Sequence, residues 1–144
     1  MGSVIKIVEN EKELMASFEV RRIVFVLEQN VPESIEWDEF DEGATHIIYK
    51  LDDKVVGAGR IVYFDDSVKI GRVAVLKEYR MRGIGREIVE FLIKESRKRS
   101  NKIIYANVQL IAQKFYKKLG FNEEGDIFFE ADIEHVKMVY DDSK

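Results

Sequence analysis

Three strand-like segments joined by very short turns limit what this chain can fold into. Residues 45–51, 55–64 and 68–75 have the pattern of strands, and Asp52-Asp53 and Asp65-Asp66-Ser67 separate them. Turns of this length favour hairpins, in which consecutive strands pair antiparallel. The middle of the chain is therefore predicted to form an antiparallel meander.

Helical patterns lie on both sides of this meander. Residues 11–28 have apolar side chains near helical spacing, with Asn10 as the N-cap, and residues 82–99 carry the apolar stripe of an amphipathic helix. The remaining predicted elements are a first strand (residues 4–8), a loop (29–43), a fifth strand (102–108), a short helix that ends at Gly120 (110–119) and two closing strands (128–133 and 136–140). Hairpins followed by a β-α-β crossover predict an α/β (α+β) fold, with a mixed, mostly antiparallel central sheet of about six or seven strands and helices on both faces.

Composition restricts the class of protein. The chain has 144 residues, 46% of them hydrophobic, which predicts a single domain over residues 1–144. A net charge of -4 argues against a nucleic-acid partner, and no apolar run approaches the roughly 20 residues that a membrane helix needs. The absence of cysteine excludes disulfides and thiolate metal ligands. We expect a cytoplasmic protein without a signal peptide, a membrane partner or a bound metal.

The strongest chemical signal is a strand that ends in a basic turn and opens a helix through two glycines. It runs from Val73-Ala74-Val75 to Arg80-Met81-Arg82-Gly83-Ile84-Gly85-Arg86. The first amides of a helix lack intrahelical partners, and the helix dipole places partial positive charge there. Glycine has no Cβ, so a phosphate can approach the backbone closely. The stretch therefore predicts a site for a phosphorylated small ligand, with three arginines adding positive charge.

Two other phosphate-binding loops do not match this pattern. A Walker loop ends in Gly-Lys-Ser/Thr, whereas Arg86-Glu87 stands at that place. A dinucleotide fingerprint needs a third glycine and an early β-α-β unit. Gly57-Ala58-Gly59 continues directly into a strand, so it predicts a bulge or a close backbone approach and no ligand contact.

These residues resemble the GCN5-related N-acetyltransferase (GNAT) family. Arg80-x-x-Gly83-x-Gly85 matches the family's Arg/Gln-x-x-Gly-x-Gly/Ala signature, between the fourth strand and the following helix. A second block, Ala112-x-x-Phe115-Tyr116-x-x-x-Gly120-Phe121, matches the next helix and strand of the family. The order of elements also agrees, so the resemblance covers nearly the whole chain and implies the family fold.

The resemblance implies acetyl-CoA as the co-substrate. In the family, the amides after the basic residue hold the pyrophosphate, and the fourth strand pairs with the pantetheine arm where it splays from the fifth. The residues that the resemblance assigns to acetyl-CoA are Val73, Ala74, Val75, Arg80, Met81, Arg82, Gly83, Ile84, Gly85, Arg86, Asn107, Gln109 and Tyr116. Tyr116 would also protonate the departing thiolate, which suits a hydroxyl of pKa about 10. The alternative is that Tyr116 is only a core aromatic residue.

Further matches indicate a subgroup of small bacterial and archaeal acetyltransferases. These matches are Val24-Phe25-Val26-Leu27-Glu28-Gln29, Glu36-Trp37-Asp38-Glu39-Phe40-Asp41, His46 and Asn107-Val108-Gln109, while Asp132-Ile133-Glu134-His135-Val136 keeps only part of a Gly-Ile-Pro-His-Val motif. Acetyl transfer requires a neutral amine, so a base or a water chain must remove a proton. We predict Glu28 and His46 as catalytic residues and leave the role of His135 open; each also has a purely structural interpretation.

The predicted function is direct transfer of an acetyl group from acetyl-CoA to a primary amine of a small molecule or peptide. The acidic residues 33–42 could attract a cationic amine, or could form an ordinary solvated loop. The alternative function is a non-catalytic acetyl-CoA sensor or regulatory module. A homodimer is a candidate assembly.

Overall fold

The computed structural model describes residues 2–143 and contains seven strands and four α-helices within them. The strands are β1 (Ser3–Ile7), β2 (Thr45–Leu51), β3 (Lys54–Tyr63), β4 (Ser67–Val75), β5 (Ile103–Gln109), β6 (Phe121–Glu130) and β7 (Ile133–Tyr140). The helices are α1 (Glu11–Arg21), α2 (Glu33–Glu36), α3 (Ile84–Arg99) and α4 (Gln113–Lys118). None of the helices in this described part of the chain combines the length and the apolarity that crossing a membrane requires.

One mixed sheet contains all seven strands, in the order β1-β2-β3-β4-β5-β7-β6. Neighbouring strands pair antiparallel except β4 and β5, which run parallel and are connected through α3. The predicted fold class, a mostly antiparallel mixed sheet with helices, is therefore confirmed. The core lies between the sheet and the apolar faces of α1 and α3, with Ile47, Ile61, Ile88 and Leu92 fully buried.

The glycine pair in β3 lets α3 approach the sheet closely. A Cβ at Gly57 would lie 2.8 Å from Cδ1 of Ile88, and one at Gly59 would lie 3.1 Å from Ile88 and from Leu92. These distances are shorter than ordinary carbon contacts, so a larger residue at either position would require the side chains of α3 to shift. The interpretation of this pair as a close backbone approach is confirmed.

The strands β4 and β5 separate after a short parallel contact. They pair only between Ser67–Lys69 and Ile103–Tyr105. Beyond Lys69, β4 pairs with β3 alone and β5 with β7 alone. A bulge in β4 accompanies the separation, because the register shifts between Ala58 and Arg60 of β3, and Arg72 has a left-handed φ of 52°. The result is an open cleft along one edge of β4.

The first and second long helices are shorter than their apolar patterns predict. The helix predicted over residues 11–28 keeps α-geometry to Arg21, capped by a 2.8 Å bond from the Glu13 amide to Asn10 Oδ1. Residues Arg22–Glu28 continue it as a wider π-helical segment, in which the Gln29 amide reaches the Val24 carbonyl. The helix predicted over residues 82–99 begins at Ile84, because Gly83 has a left-handed φ of 81°.

The last hairpin differs from its prediction over residues 128–133 and 136–140. Strand β6 already begins at Phe121, and the turn lies at Ala131-Asp132, whose φ values of 51° and 61° suit a tight hairpin. The sequence pattern did not predict the early part of β6 as a strand, because this part is an exposed edge strand without alternating apolar residues.

Candidate active site

The separation of β4 from β5 creates a cleft of about 840 Å³, a volume typical of small-molecule sites. One end, the helix end, lies beside residues 73–86 and α4. The other, the charged end, lies beside Lys69, Arg72 and the buried acids of residues 36–41. Because β4 rises about 3.3 Å per residue, Lys69 and Val75 stand roughly 20 Å apart along the cleft.

The helix end presents backbone groups that suit an anion. Gly83 and Met81 have left-handed φ values of 81° and 65°, so the loop turns sharply into the first turn of α3. A Cβ built at Gly83 meets no atom within 4 Å, and the space in front of the helix amides is therefore open. A 16-residue helix that starts here directs its unpaired amides and positive dipole end into this space.

The free edge of β4 continues the helix end into the cleft. Residues Val73–Val75 line the cleft and hydrogen-bond to β3 on one side only, so the backbone on the other side can pair with an extended amide-containing arm. The open helix start and the free strand edge together fit the diphosphate and the pantetheine arm of acetyl-CoA.

Arg80 holds the loop in place with hydrogen bonds from all three nitrogens of its guanidinium. Its Nε donates to the Val75 carbonyl at 2.9 Å, and its two terminal nitrogens donate to Glu28 at 2.6 and 2.7 Å. The hydrogen bonds from Arg80 lower the pKa of Glu28 despite partial burial. Glu28 does not line the cleft, so the predicted base and the predicted anion-binding arginine form an ion pair that ties the end of the first helical segment to β4.

The two other arginines of the loop differ in their surroundings. Arg82 stacks over the Tyr79 ring at 5.3 Å and donates to the Glu78 carbonyl at 3.3 Å. Arg86 lines the cleft, is 67% exposed at its side chain and has only a 3.4 Å contact with Glu90. Arg86 is therefore the loop arginine with the greatest freedom to reach a bound phosphate.

Tyr116 lies at the wall of the cleft, opposite β4. Its ring is 8% exposed and packs edge-to-face against Phe115 at 5.2 Å and Phe121 at 5.3 Å. Among the described residues, its hydroxyl has no hydrogen-bond partner. Burial raises the pKa of Tyr116, so the hydroxyl keeps its proton at physiological pH. The ring is thus a core element whose hydroxyl remains available as a proton donor.

A buried network of arginines and carboxylates forms the charged end. Its members are Arg21, Arg60, Arg72, Glu36, Asp38 and Asp41. Arg21 is 1% exposed and donates to Glu36 and Asp41 at 2.8 Å, while Arg60, 3% exposed, donates to Asp38 at 2.7 Å and to Asp41 at 2.8 Å. Within the acidic segment, Glu36, Asp38 and Asp41 are therefore paired with arginines rather than free to attract a cationic amine, while Glu33, Glu39 and Glu42 are exposed.

His46 belongs to the wall of this network and does not line the cleft. Its Nε2 lies 2.8 Å from the Asp41 carbonyl, which can only accept, so Nε2 carries the proton. Nδ1 is buried without a partner in the described part of the chain, and the ring packs against Phe18 at 5.4 Å. Burial lowers the pKa of His46. This geometry supports a structural role for His46 rather than proton transfer at the cleft.

His135, by contrast, does line the cleft. Its Nδ1 donates to the Ile133 carbonyl at 2.7 Å, and its Nε2 lies 3.7 Å from Glu130. Glu130 also accepts from Asn107 at 3.2 Å. Gln109, the register partner of His135, donates to Gln29 at 2.8 Å. The predicted residues Asn107 and Gln109 thus line the wall that carries His135.

Three cleft-lining cations, Arg60, Lys69 and Arg72, were not among the predicted site residues. One signal was available in the sequence, because Arg60 stands in the middle of an otherwise apolar strand. A charge that is fully buried requires a paired partner. Which acids pair with it depends on the path of residues 33–42, which local pattern does not reveal.

Comparison with known proteins identifies related sequences and folds. The profile of an acetyltransferase (GNAT) domain matches residues 9–141. An uncharacterised N-acetyltransferase of Bacillus subtilis, YjcF, is 38% identical over 136 residues, which cover 94% of this chain and 97% of YjcF. The ElaA protein of Escherichia coli is 30% identical over 131 residues, which cover 88% of this chain and 86% of ElaA.

Solved structures agree with these sequence matches. The crystal structure of Escherichia coli ElaA superimposes with a TM-score of 0.86 at 27% identity, covering 98% of this chain and 100% of that one. An aminoglycoside 6'-N-acetyltransferase complexed with coenzyme A superimposes with a TM-score of 0.75, covering 94% of this chain and 95% of that one. At 17% identity, the second comparison establishes the fold alone.

Proposed function

The chain belongs to the GNAT family of acetyltransferases and is an acyltransferase, and from this premise we propose that it transfers the acetyl group of acetyl-CoA directly to a primary amine. The observation that carries the proposal is the cleft itself. An open helix N-terminus, a free strand edge and Tyr116 line one continuous space.

The helix end binds the donor through its backbone. The first amides of α3 hold the diphosphate, with the side chain of Arg86 adding charge, and the free edge of Val73–Val75 pairs with the amides of the extended arm. Arg80 and Glu28 do not contact the donor in this scheme; they fix the loop through their ion pair. Acetyl-CoA supplies a thioester, whose carbonyl carbon takes the amine lone pair as the carbon–sulfur bond breaks toward sulfur.

Tyr116 supplies the proton for the departing sulfur. Its raised pKa keeps the hydroxyl neutral, and the absence of a hydrogen-bond partner among the described residues leaves it free to donate. The aromatic packing against Phe115 and Phe121 fixes the ring, so the hydroxyl is positioned before the thiolate forms.

His135 is our candidate for the group that removes the amine proton. It lines the cleft, and its Nε2 makes no hydrogen bond among the described residues, whereas Glu28 and His46 do not line the cleft. Glu130, 3.7 Å from this nitrogen, would stabilise the imidazolium that results. Proton transfer through His135 thus replaces the roles predicted for Glu28 and His46.

Two measurements test the proposal. Calorimetric titration with acetyl-CoA should give heat and raise the thermal midpoint, since a ligand of the native state stabilises it. Release of coenzyme A should then be followed with polyamines, amino sugars and lysine peptides as acceptors. Absence of binding would refute the proposal, and binding without turnover for any amine would favour a sensor or regulatory module.

Removal of single hydroxyl groups tests the role of Tyr116. The Tyr116→Phe variant should lose at least about tenfold in kcat, because general acid catalysis contributes 10²–10⁴-fold, while affinity for acetyl-CoA changes little. Tyr140→Phe is the matched control, since Tyr140 packs on the same Phe121 ring at 5.3 Å but does not line the cleft. Full activity of Tyr116→Phe would make Tyr116 a core aromatic residue only.

A further inference from the structure

Lys69 is a cation at the charged end of the cleft, outside the network of arginines and carboxylates. It is half-buried on β4, between its register partners Val62 of β3 and Tyr105 of β5. Within the part of the chain that the structure describes, its ammonium makes no hydrogen bond and no ion pair. Half-buried lysines usually extend to solvent or to a carboxylate, so the position of Lys69 calls for a reason.

Arg72, beside Lys69, has part of its guanidinium free. Its Nη2 donates to the Glu36 carbonyl at 3.0 Å and to Asp38 at 3.1 Å. Its Nε is buried without a hydrogen bond, although it lies 3.3 Å from Glu36, and Nη1 has no partner among the described residues. The left-handed φ of 52° at Arg72 shows that the β4 bulge sets the position of this side chain.

The network at this end is balanced in charge without Lys69. The arginines of the network and its carboxylates are equal in number, so each positive charge there has a negative partner. Lys69 adds a positive charge to this balanced set. Burial lowers the pKa of Lys69, and Arg60 and Arg72 lower it further, although Glu130 partly opposes them. Burial likewise lowers the pKa of Arg72. An anion in the cleft would satisfy both groups.

The opposite wall carries groups suited to an amine. Glu130 is 42% exposed at its side chain and stands between Asn107 and the His135 imidazole. A carboxylate there attracts an ammonium group, and the neighbouring His135 can accept its proton. Cationic and anionic groups thus face the same space from different strands, which suits a ligand with charges of both signs.

We propose that Lys69 and Arg72 bind an acidic group of the acceptor, so that the acceptor is a small amine that also carries a carboxylate or a phosphate. This inference rests on the proposed function and names the substrate class for it. Lys69 donates from a flexible stem and Arg72 from the free part of its guanidinium, and both bonds are charge-assisted. The amine of the same molecule lies toward Glu130 and His135.

Matched pairs of acceptors test the inference. Release of coenzyme A is measured for L-leucine against isopentylamine, L-phenylalanine against 2-phenylethylamine, and O-phosphoethanolamine against ethanolamine. The first two pairs differ by a carboxylate and the third by a phosphate. At least one acid-bearing amine should exceed its plain partner in kcat/KM by at least about tenfold, the effect expected from charge-assisted hydrogen bonds.

The Lys69→Met variant connects the preference to this side chain. It keeps the length of the stem and removes the charge, so kcat/KM for the acid-bearing acceptor should fall at least about tenfold, mainly through KM, while the plain amine changes less than about twofold. Lys94→Met is the matched control, since Lys94 is exposed on α3 and does not line the cleft. The Lys69→Met variant should also unfold no earlier than the parent, because it removes a half-buried cation whose desolvation no hydrogen bond offsets among the described residues.

Each other outcome contradicts the inference. Equal use of plain and acid-bearing amines, an unchanged KM in Lys69→Met, or no acceptor used at all would exclude acid recognition by Lys69. Transfer of acetyl to Lys69 itself, detected by mass spectrometry after incubation with acetyl-CoA, would make this lysine an acceptor instead. Calorimetric binding of acetyl-CoA is measured in parallel, so failure of this inference is distinguished from failure of the proposed function.

Discussion

The two ends of the cleft are built from different parts of the chain. At the helix end, the binding groups are mainly backbone amides and carbonyls from one continuous stretch, residues 73–86, together with the start of α3. At the charged end, side chains come from α1, α2, the segment that follows it, β3 and β4. A site made of backbone can be encoded by a local motif, whereas a site made of side chains exists only after distant segments meet.

The two ends of the cleft also differ in the desolvation penalty that folding must offset. Unpaired amides at a helix start remain exposed to water in the open cleft, so the helix end requires little compensation. The charged end removes Arg21, Glu36 and Arg60 from water almost completely, and each depends on its partners to offset desolvation. We therefore expect substitutions of the most buried network residues, such as Arg21, to change stability, and those at the helix end to change binding.

The largest expected effect comes from breaking the network at its most buried arginine. Arg21→Ala leaves Glu36 and Asp41 without their main partner, and loss of one member of a buried pair costs about 3–5 kcal/mol. Denaturant unfolding followed by circular dichroism measures the free energy of unfolding. Arg22→Ala is the matched control, because the side chain of this next residue lies at the surface and its ion pair is with Glu19; it should leave the free energy of unfolding nearly unchanged. Similar losses of stability in both variants would show that the buried network does not account for the stability of the charged end.

Acidification should weaken the same end by a smaller amount. Burial alone would raise the pKa of Asp41, but hydrogen bonds from Arg21, Arg60 and the Asp38 amide outweigh it and lower the pKa to about 2. The unfolded state then binds more protons than the native state between about pH 4 and pH 2. Stability contributed by Asp41 is thus present above pH 4 and is lost as the pH falls to 2, by about 2 kcal/mol.

The Asp41→Asn variant isolates this contribution. It should be less stable than the parent at pH 7 by a similar amount and should lose less stability between pH 4 and pH 2. The adjacent exposed residue provides the control, because Glu42→Gln should follow the parent over the whole range. If Asp41→Asn retained the acid sensitivity of the parent, other groups would be responsible for it.

The smallest effect is expected at the helix end. Gly83→Ala places a methyl group in the open space before α3 and in a left-handed backbone conformation, so affinity for acetyl-CoA should fall several-fold. The strain of that conformation, of the order of 1–2 kcal/mol, sets an upper limit on the loss of stability. Gly43→Ala is the control, since Gly43 has open space around it and no positive φ. Calorimetric affinity equal to that of the parent would exclude phosphate approach at Gly83.

Much of the fold follows from local pattern. The meander β2-β3-β4, the amphipathic helix α3, the Asn10 cap and the close approach at Gly57 and Gly59 were predicted from spacing and turn chemistry. Exposed edge strands carry a weaker signal, so the start of β6 and the turn at Ala131-Asp132 were misplaced. Sequence patterns report burial and turn geometry, and they are least informative where neither applies.

The sequence by itself predicted the helix end of the cleft, from the basic turn and two glycines to the helix that follows, while the place of the Phe115-Tyr116 pair was implied by the resemblance to the GNAT family. The basic turn, the glycines and the helix start lie close together in the chain, and their chemistry depends on backbone geometry that glycine and helix starts impose locally. Only the tertiary structure decided that Glu28 neutralises Arg80, that His46 is enclosed while His135 lines the cleft, and that Lys69 lines the cleft without an ion pair to any residue from 2 to 143. The physical reason is that a charged side chain acquires its role from the groups that folding brings within a few ångströms, and those groups come from distant positions in the chain.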